Sequence, residues 1–398
     1  MKKKVLIIFK HPHEWNLGVT DKFSNYYDTE FLYISNFKNE NFTEIVNDIN
    51  NLIKSKNIEI VVFDAGYLKF INLFFIKKIN SNKKILMTSD NFHLYELNSI
   101  TANACDLVLC GDPFSTLKFK EKGYEAFTLF HTHHLSDSMS SKTNKILELR
   151  KINKNNNEKK EIDVLFFGHQ TPDRKNILDY LVKEGIQLKN VSGLPQDELW
   201  ELIIKSKIIV NLSKSRTSVV ENYASENVFK FNYQFKGRIF LSGFHGVACV
   251  SEYSPGQELL FNENEVPTFF TKEECVKILK KLLKNEELLA KYSKNLTSKI
   301  NELCDDKKNF VPIYNAIEKS KHRRVELIKI PYWYLRISAK QILLRNMKLS
   351  NLIKTIFQLR IIFSIIKKSN FSIKFLIVSE SIINTLWYSF IFTFKSKK

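Results

Sequence analysis

Arg174 and Lys175 stand at the end of the stretch Asp163-Val-Leu-Phe-Phe-Gly-His-Gln-Thr-Pro-Asp-Arg-Lys. An apolar run ends at Gly168, a short loop follows, and two cations arrive as a helix begins. Gly168 allows close backbone approach, a helix N-terminus favours an anion, and paired cations can grip a diphosphate. The same residues also fit a plain strand-to-helix turn with solvated cations. The spacing is not G-x-G-x-x-G, which disfavours a dinucleotide redox cofactor.

A second constellation is Lys236-Gly-Arg-Ile-Phe-Leu-Ser-Gly-Phe-His-Gly-Val-Ala-Cys-Val-Ser-Glu-Tyr. Gly243 and Gly246 are two of only 11 glycines, and their crowding suggests backbone amides exposed to a ligand at a helix start. Arg238 could meet a phosphate there, and Glu252 could accept from a sugar or ribose hydroxyl. A glycine-containing turn before a buried strand is the alternative.

Histidine and carboxylate side chains follow two early apolar runs. His11-Pro-His13-Glu14 follows the first, and Asp90 and His93 follow Lys84–Met87. An imidazole or carboxylate at such a place can orient or deprotonate an acceptor hydroxyl. His131, His133 and His134 are adjacent loop histidines without a nearby carboxylate pattern, which is a poor metal site, so none is assigned. H-E-x-x-H and G-x-S-x-G are absent, which removes the support for a nucleophilic hydrolase.

These residues need a scaffold that places them at strand ends. Short apolar runs at Val5–Phe9, Ile58–Phe63, Lys84–Met87, Leu107–Cys110 and Ala126–Leu129 read as buried parallel strands, with helices at Phe42–Lys54 and Ser115–Lys122. The polar run Ser140–Ile162 reads as a linker, after which strand–helix alternation restarts at Asp163–Phe167. Helices are expected at Asn176–Glu184 and Gln196–Ser206, strands at Ile208–Leu212, Arg238–Leu241 and Ala248–Val250, and one long helix over Lys272–Asn301. The fold class is α/β, with two Rossmann-like parallel-sheet domains facing a cleft. Ligands in such sheets bind at the carboxyl ends of the strands. The expected division is 1–150, a linker at 151–161, 162–320, and a basic helical tail at 321–398.

Charge separates that tail from the rest. The chain of 398 residues carries +19, and residues 321–398 hold 16 Lys or Arg against Glu326 and Glu380, so the tail carries +14 and the remainder +5. Ile383, Leu386, Trp387, Phe390 and Phe394 recur at helical spacing, as do Leu349, Leu352, Ile353, Ile356 and Phe363. Basic amphipathic helices with Trp and Phe lie in membrane interfaces, and Glu380 inside the last apolar stretch disfavours a full crossing. Packing against the catalytic domains or a second subunit is the competing account. Tyr332-Trp-Tyr-Leu-Arg could stack nucleic-acid bases, but the tail's aliphatic content argues against a nucleic-acid partner. With 44% hydrophobic residues the chain is not disordered, and Cys105, Cys110, Cys249, Cys275 and Cys304 form no C-x-x-C pair, so they read as reduced thiols.

From about Lys84 to Asn295 the chain resembles GT-B glycosyltransferases of the spore-maturation-protein type, relatives of the retaining family 4. The resemblance rests on ordered patterns. Thr88-Ser-Asp-Asn, Cys105-Asp-Leu-Val-Leu-Cys-Gly-Asp-Pro-Phe-Ser, Gly123-Tyr and His131-Thr-His-His come first. Asp163-Val-Leu-Phe-Phe-Gly with Arg174, Ser206-Lys-Ile-Ile-Val-Asn-Leu-Ser, Lys236-Gly-Arg-Ile-Phe with Gly246, and Glu252-Tyr follow.

The resemblance implies sugar transfer from a nucleotide-sugar donor held by the second half to an acceptor held by the first. The acceptor would be a cell-envelope glycan or lipid-linked species, and the transfer retaining. Arg174, with Lys175, would neutralise the leaving diphosphate without a metal or other cofactor. Asp90 or His93 would serve near the donor sugar, and His11, His13 and Glu14 would lie on the acceptor side. Relatives place Glu after the Phe of Arg-x-Phe to hold the ribose; here that position is Leu241, so Ser242 or Glu252 would substitute. That departure keeps open an inactive scaffold, and the architecture also fits a nucleotide-sugar epimerase. The tail would place the protein in the cytoplasm, peripheral on the inner membrane face.

Overall fold

The computed structural model describes residues 2–10, 14–37, 42–65, 70–88, 91–130, 160–214 and 233–320, together with 330, 331, 333–335 and 338. The histidines at 131–134, most of the expected linker and the amphipathic stripes between 349 and 394 lie outside the described residues.

The first half is a six-stranded sheet with every neighbouring pair parallel. Its strands are β1 (Lys4–Phe9), β2 (Asp28–Tyr33), β3 (Ile60–Asp64), β4 (Lys83–Thr88), β5 (Leu107–Cys110) and β6 (Ala126–Thr128), in the order β2-β1-β3-β4-β5-β6. Five consecutive apolar residues of β1, Val5 to Phe9, are fully buried, because helices cover both faces of a parallel sheet. The edge strand β2 was not expected from sequence: its side chains are half-buried or exposed and include Asp28 and Glu30, so no apolar run marks it.

Five helices connect these strands: α1 (Glu14–Ser24), α2 (Phe42–Lys56), α3 (Leu73–Lys78), α4 (Asn91–Ala102) and α5 (Pro113–Glu121). Helix α2 buries Phe42, Ile45, Val46, Ile49 and Ile53, one face of a 3.6-residue period. Helix α5 starts where Asp112 caps it, accepting from Ser115 N at 2.7 Å, and Pro113 occupies the first turn.

The second half is a five-stranded parallel sheet of β7 (Ile162–Phe167), β8 (Leu188–Val191), β9 (Ser206–Asn211), β10 (Ala248–Glu252) and β11 (Thr268–Phe269), ordered β11-β10-β9-β7-β8. Its helices are α6 (Pro172–Lys183), α7 (Gln196–Ile204), α8 (Arg238–Phe244), α9 (Lys272–Leu283) and α10 (Glu286–Cys304). Two expectations are corrected here. Arg238–Leu241 begins helix α8 rather than a strand; buried Ile239, Phe240, Ser242 and Gly243 share a helix, and Leu241 N bonds to Gly237 O. The long helix over 272–301 is two, because Asn285 turns extended and accepts from Leu288 N to start α10.

The chain then returns to the first half. Helix α11 (Phe310–Lys319) buries Phe310, Ile313 and Ile317 in the same cluster as Val5, Ile7 and Phe23. Lys22, on α1, bonds to Cys304 O and pairs with Asp306. The start of the basic segment is also built in. Tyr334 is fully buried in the first half's other core cluster. Its hydroxyl accepts from Leu73 N at 2.8 Å and lies 2.9 Å from Thr101 Oγ1, which itself donates to Leu97 O. The directions are therefore determined: Tyr334 Oη donates to Thr101. Burial pushes this phenol up to about 12, so it remains a neutral donor. A Tyr334 committed in this way is not free to stack bases.

Candidate functional site

Each sheet has a switch point where the chain turns from building one way to building the other, and a crevice opens there at the carboxyl ends. In the second sheet the switch lies between β7 and β9. Two arginines bridge those two strand ends. Arg238 reaches from the first turn of α8, donating from Nε to Phe167 O at 2.5 Å and from Nη1 to Leu212 O at 3.3 Å and Asn211 Oδ1 at 3.3 Å. Arg174, on the first turn of α6, donates from Nη1 to His169 O at 2.8 Å and from Nη2 to Lys214 O at 2.9 Å. Each guanidinium thus ties the end of β7 to the end of β9.

Local sequence explains how the turn forms. Pro172 pre-sets the first turn of α6, and Thr171 caps it by accepting from Arg174 N at 3.3 Å. Gly168 has φ +122, and a Cβ there would lie 2.2 Å from Arg238 Nη2. The close approach anticipated at Gly168 is therefore first of all that of the Arg238 guanidinium.

The two guanidinium groups are close enough to influence one another. Burial, and then the neighbouring Arg174 charge, push the Arg238 guanidinium down to about 9. It is still protonated at neutral pH, so two cations are held side by side, with carbonyl oxygens among the groups that receive them. An anion bridging them would relieve both the desolvation and the repulsion.

Glu252 secures this arrangement from behind. Its Oε2 accepts from Ser213 N at 2.7 Å, Ser213 Oγ at 3.1 Å and Lys214 N at 3.1 Å. The buried carboxylate holds the loop whose carbonyls receive the arginines. Asn211, Ser213 and Lys214 were not anticipated from sequence. They follow an apolar strand with no charge pattern, and only the pairing of β9 with β7 brings them to the site.

The remaining expected residues divide. Lys175 points away, pairing with exposed Asp179 at 2.5 Å, while Lys214 pairs with Asp173 at 3.1 Å beside Arg174. Ser242 is buried and donates to Arg238 O at 2.9 Å. Gly243 and Gly246 stand at the end of α8, not at a helix start. A Cβ on Gly243 would come within 2.4 Å of Ile300, so this glycine lets α8 pack on α10, and Gly246 takes φ +70 beyond the helix terminus. Leu241 packs at the edge of the cluster of Leu165, Phe167 and Trp200.

On the other half, His11, His13 and Asp90 lie outside the described residues. Glu14 opens α1, after β1, and His93 is in the first turn of α4, after β4; only their backbones are described. The two halves touch where Gly256 (φ +90) meets Phe114 N, 3.1 Å from an ideal Cβ, and where Phe130 stacks on Phe240 at 5.2 Å. The five cysteines are free and buried, and burial pushes every thiol up. Among the described residues no group of three or more His, Cys, Asp or Glu is gathered.

A family model described as "glycosyl transferase-like" matches residues 149–302, the segment that contains both arginines. No curated protein matches the chain. Solved structures of similar fold include HepE of Anabaena in complex with UDP and glucose, 12% identical, covering 79% of this chain and 99% of that one at a TM-score of 0.51. An α-glucosyltransferase in complex with UDP-glucose and DNA is 12% identical, with coverage of 79% and 99% and a TM-score of 0.50. Sucrose-phosphate synthase of Thermosynechococcus elongatus is 8% identical, with coverage of 80% and 99% and a TM-score of 0.50. These likenesses span both halves, and the fold is GT-B. Within the matched segment the two arginines mark the crevice of the second sheet.

Proposed function

We propose that this chain is a nucleotide-sugar-dependent glycosyltransferase whose donor diphosphate binds across Arg174 and Arg238. The observation that carries this is the pair of guanidinium groups joining the ends of β7 and β9 at the switch point. The complexes of HepE with UDP and glucose and of the α-glucosyltransferase with UDP-glucose support the ligand class.

As the bond from the sugar to the diphosphate breaks, negative charge builds on the leaving phosphate. Two fixed cations stabilise that charge more than the ground state, which is transition-state stabilisation needing no metal. Glu252 acts by holding Ser213 and Lys214, and through them the arginines, in register. The acceptor lies on the first half near the ends of β1 and β4, where His11, His13, Glu14, Asp90 and His93 stand in the sequence. It is a cell-envelope glycan or lipid-linked species, and transfer proceeds with retention. The tail binds an anionic membrane surface, on the inner face in the cell. No helix of the described residues is long and apolar enough to cross a membrane.

An inactive scaffold is the second reading, favoured by Leu241, whose apolar side chain cannot accept a ribose hydroxyl. A thermal-shift screen with uridine, guanosine, cytidine and thymidine diphosphates, followed by donor-hydrolysis assays, separates the two. The transferase reading requires one diphosphate to raise the melting temperature and its sugar derivative to be turned over. Absence of turnover, with or without binding, removes the transferase reading and favours the scaffold.

A further inference from the structure

The start of the basic segment is attached to one side of the first half, and that attachment has a direction. Tyr334 docks against α3 and α4, through Leu73 N and Thr101 Oγ1, with Trp333 and Ile330 half-buried on the same cluster. Lys84, near the beginning of β4, donates to Ile76 O of α3, and the docking residue Thr101 lies just before the turn into β5. The attachment is therefore at the end of the sheet where strands begin, opposite the carboxyl ends that form the crevice.

Three exposed lysines gather at that end. Lys77 and Lys78 form the last turn of α3, and Lys54 lies in the last turn of α2. The two helix ends are joined by Asn50, whose Nδ2 donates to Lys78 O at 3.0 Å and whose Oδ1 accepts from Asn80 N at 2.8 Å. Lys54 is one helical turn beyond Asn50, while the acidic residues of α2, Glu44 and Asp48, lie back toward its other end. In the sequence, Lys329 and Arg336 flank the docked residues, and the segment from 321 to 398 carries +14.

We propose that the α2–α3 end of the first half, with Lys54, Lys77, Lys78 and Trp333, is the surface that meets an anionic lipid bilayer. This rests on the reading of the basic segment as membrane-binding and adds which face of the folded protein is turned to the lipid. The charge is complementary to anionic headgroups. The surface is continuous with the point where the basic segment leaves the fold. A half-buried Trp at the start of the basic segment suits the headgroup layer, where an amphipathic ring is stable.

The test is flotation of the full chain with phosphatidylcholine vesicles, with and without phosphatidylglycerol. Each basic residue near an anionic surface contributes roughly five-fold to partitioning. The variant Lys54→Glu/Lys77→Glu/Lys78→Glu is therefore expected to lose at least about ten-fold in binding to anionic vesicles while keeping a cooperative melting transition, since all three residues are exposed. A control reversal on the other half, Lys277→Glu/Lys281→Glu on exposed positions of α9, is expected to bind as the wild type does. If the wild type fails to float with anionic vesicles, the membrane reading itself falls and takes this surface with it. If the wild type floats and the triple variant floats equally, or if the control loses as much, the assignment of this face is overturned while the membrane reading stands.

Discussion

Replacing Gly168 with Ala tests whether the anion site depends on the close approach of Arg238. The new Cβ would lie 2.2 Å from Arg238 Nη2, far inside any normal contact, and the backbone would have to hold a side chain at φ +122. The second effect costs about 1–3 kcal/mol. The first forces the guanidinium away from Phe167 O, Asn211 Oδ1 and Leu212 O, at about 1 kcal/mol for each bond lost. Gly168→Ala is thus expected to lower stability by about 4–6 kcal/mol. Displacing a cation from a phosphate removes a charge-assisted bond, so affinity for the preferred nucleoside diphosphate should fall about 10- to 100-fold.

Denaturant unfolding and titration calorimetry measure the two effects, and a double-mutant cycle with Arg238→Ala isolates their link. With the guanidinium gone, Gly168→Ala should cost only the backbone strain. The double variant should then be more stable, and bind better, than the sum of the single losses predicts. Strict additivity in both measurements would refute the argument that Gly168 serves Arg238. Unchanged affinity in Gly168→Ala would refute the placement of the diphosphate.

Other expectations follow from the same geometry. Because Arg238 is pushed down to about 9 when unliganded and a bound diphosphate keeps it charged, affinity should be level below that pH and fall up to about tenfold per unit above it; a flat titration through about pH 10 counts against Arg238 as a ligand. The same sign means that the nucleotide-free protein carries a cost from this partly desolvated cation at neutral pH, relieved as pH rises above about 9. Lys175→Ala should leave diphosphate affinity within about twofold, since its ammonium is in an exposed pair with Asp179, whereas Arg174→Ala should lose at least tenfold by calorimetry. Tyr334→Phe leaves Leu73 N without its buried acceptor and should cost about 1–3 kcal/mol in thermal or denaturant unfolding. A chain ending at Ser320, which lacks Ile330, Trp333 and Tyr334, should be destabilised further.

The alternation of apolar runs and helical stretches was enough to identify two parallel-sheet halves, because a strand covered on both faces must be apolar along its whole length. It was enough at β1, β3, β4, β5, β6, β7, β9 and β10. It failed at β2 and β8, whose half-buried or exposed side chains form no apolar run, at the two-residue β11, and at α8, where four residues of mixed character cannot separate a helix from a strand. The charge of the last segment was likewise plain in composition, since net charge is a sum that needs no coordinates. Arg174 and Arg238 could be marked singly as phosphate ligands by type and by the glycine nearby. That they act as a pair depends on β7 lying beside β9, which brings together two arginines 64 positions apart in the sequence. The same is true of Glu252, whose local sequence suggests a hydroxyl acceptor and whose position makes it the brace of the β9 loop. Tertiary structure also decided where the basic segment starts: the fold buries Tyr334 against α3 and α4, so the boundary set by charge is not the boundary set by packing. Charge and periodicity are local properties of a chain, whereas a shared hydrogen bond between distant strands exists only once the sheet has formed.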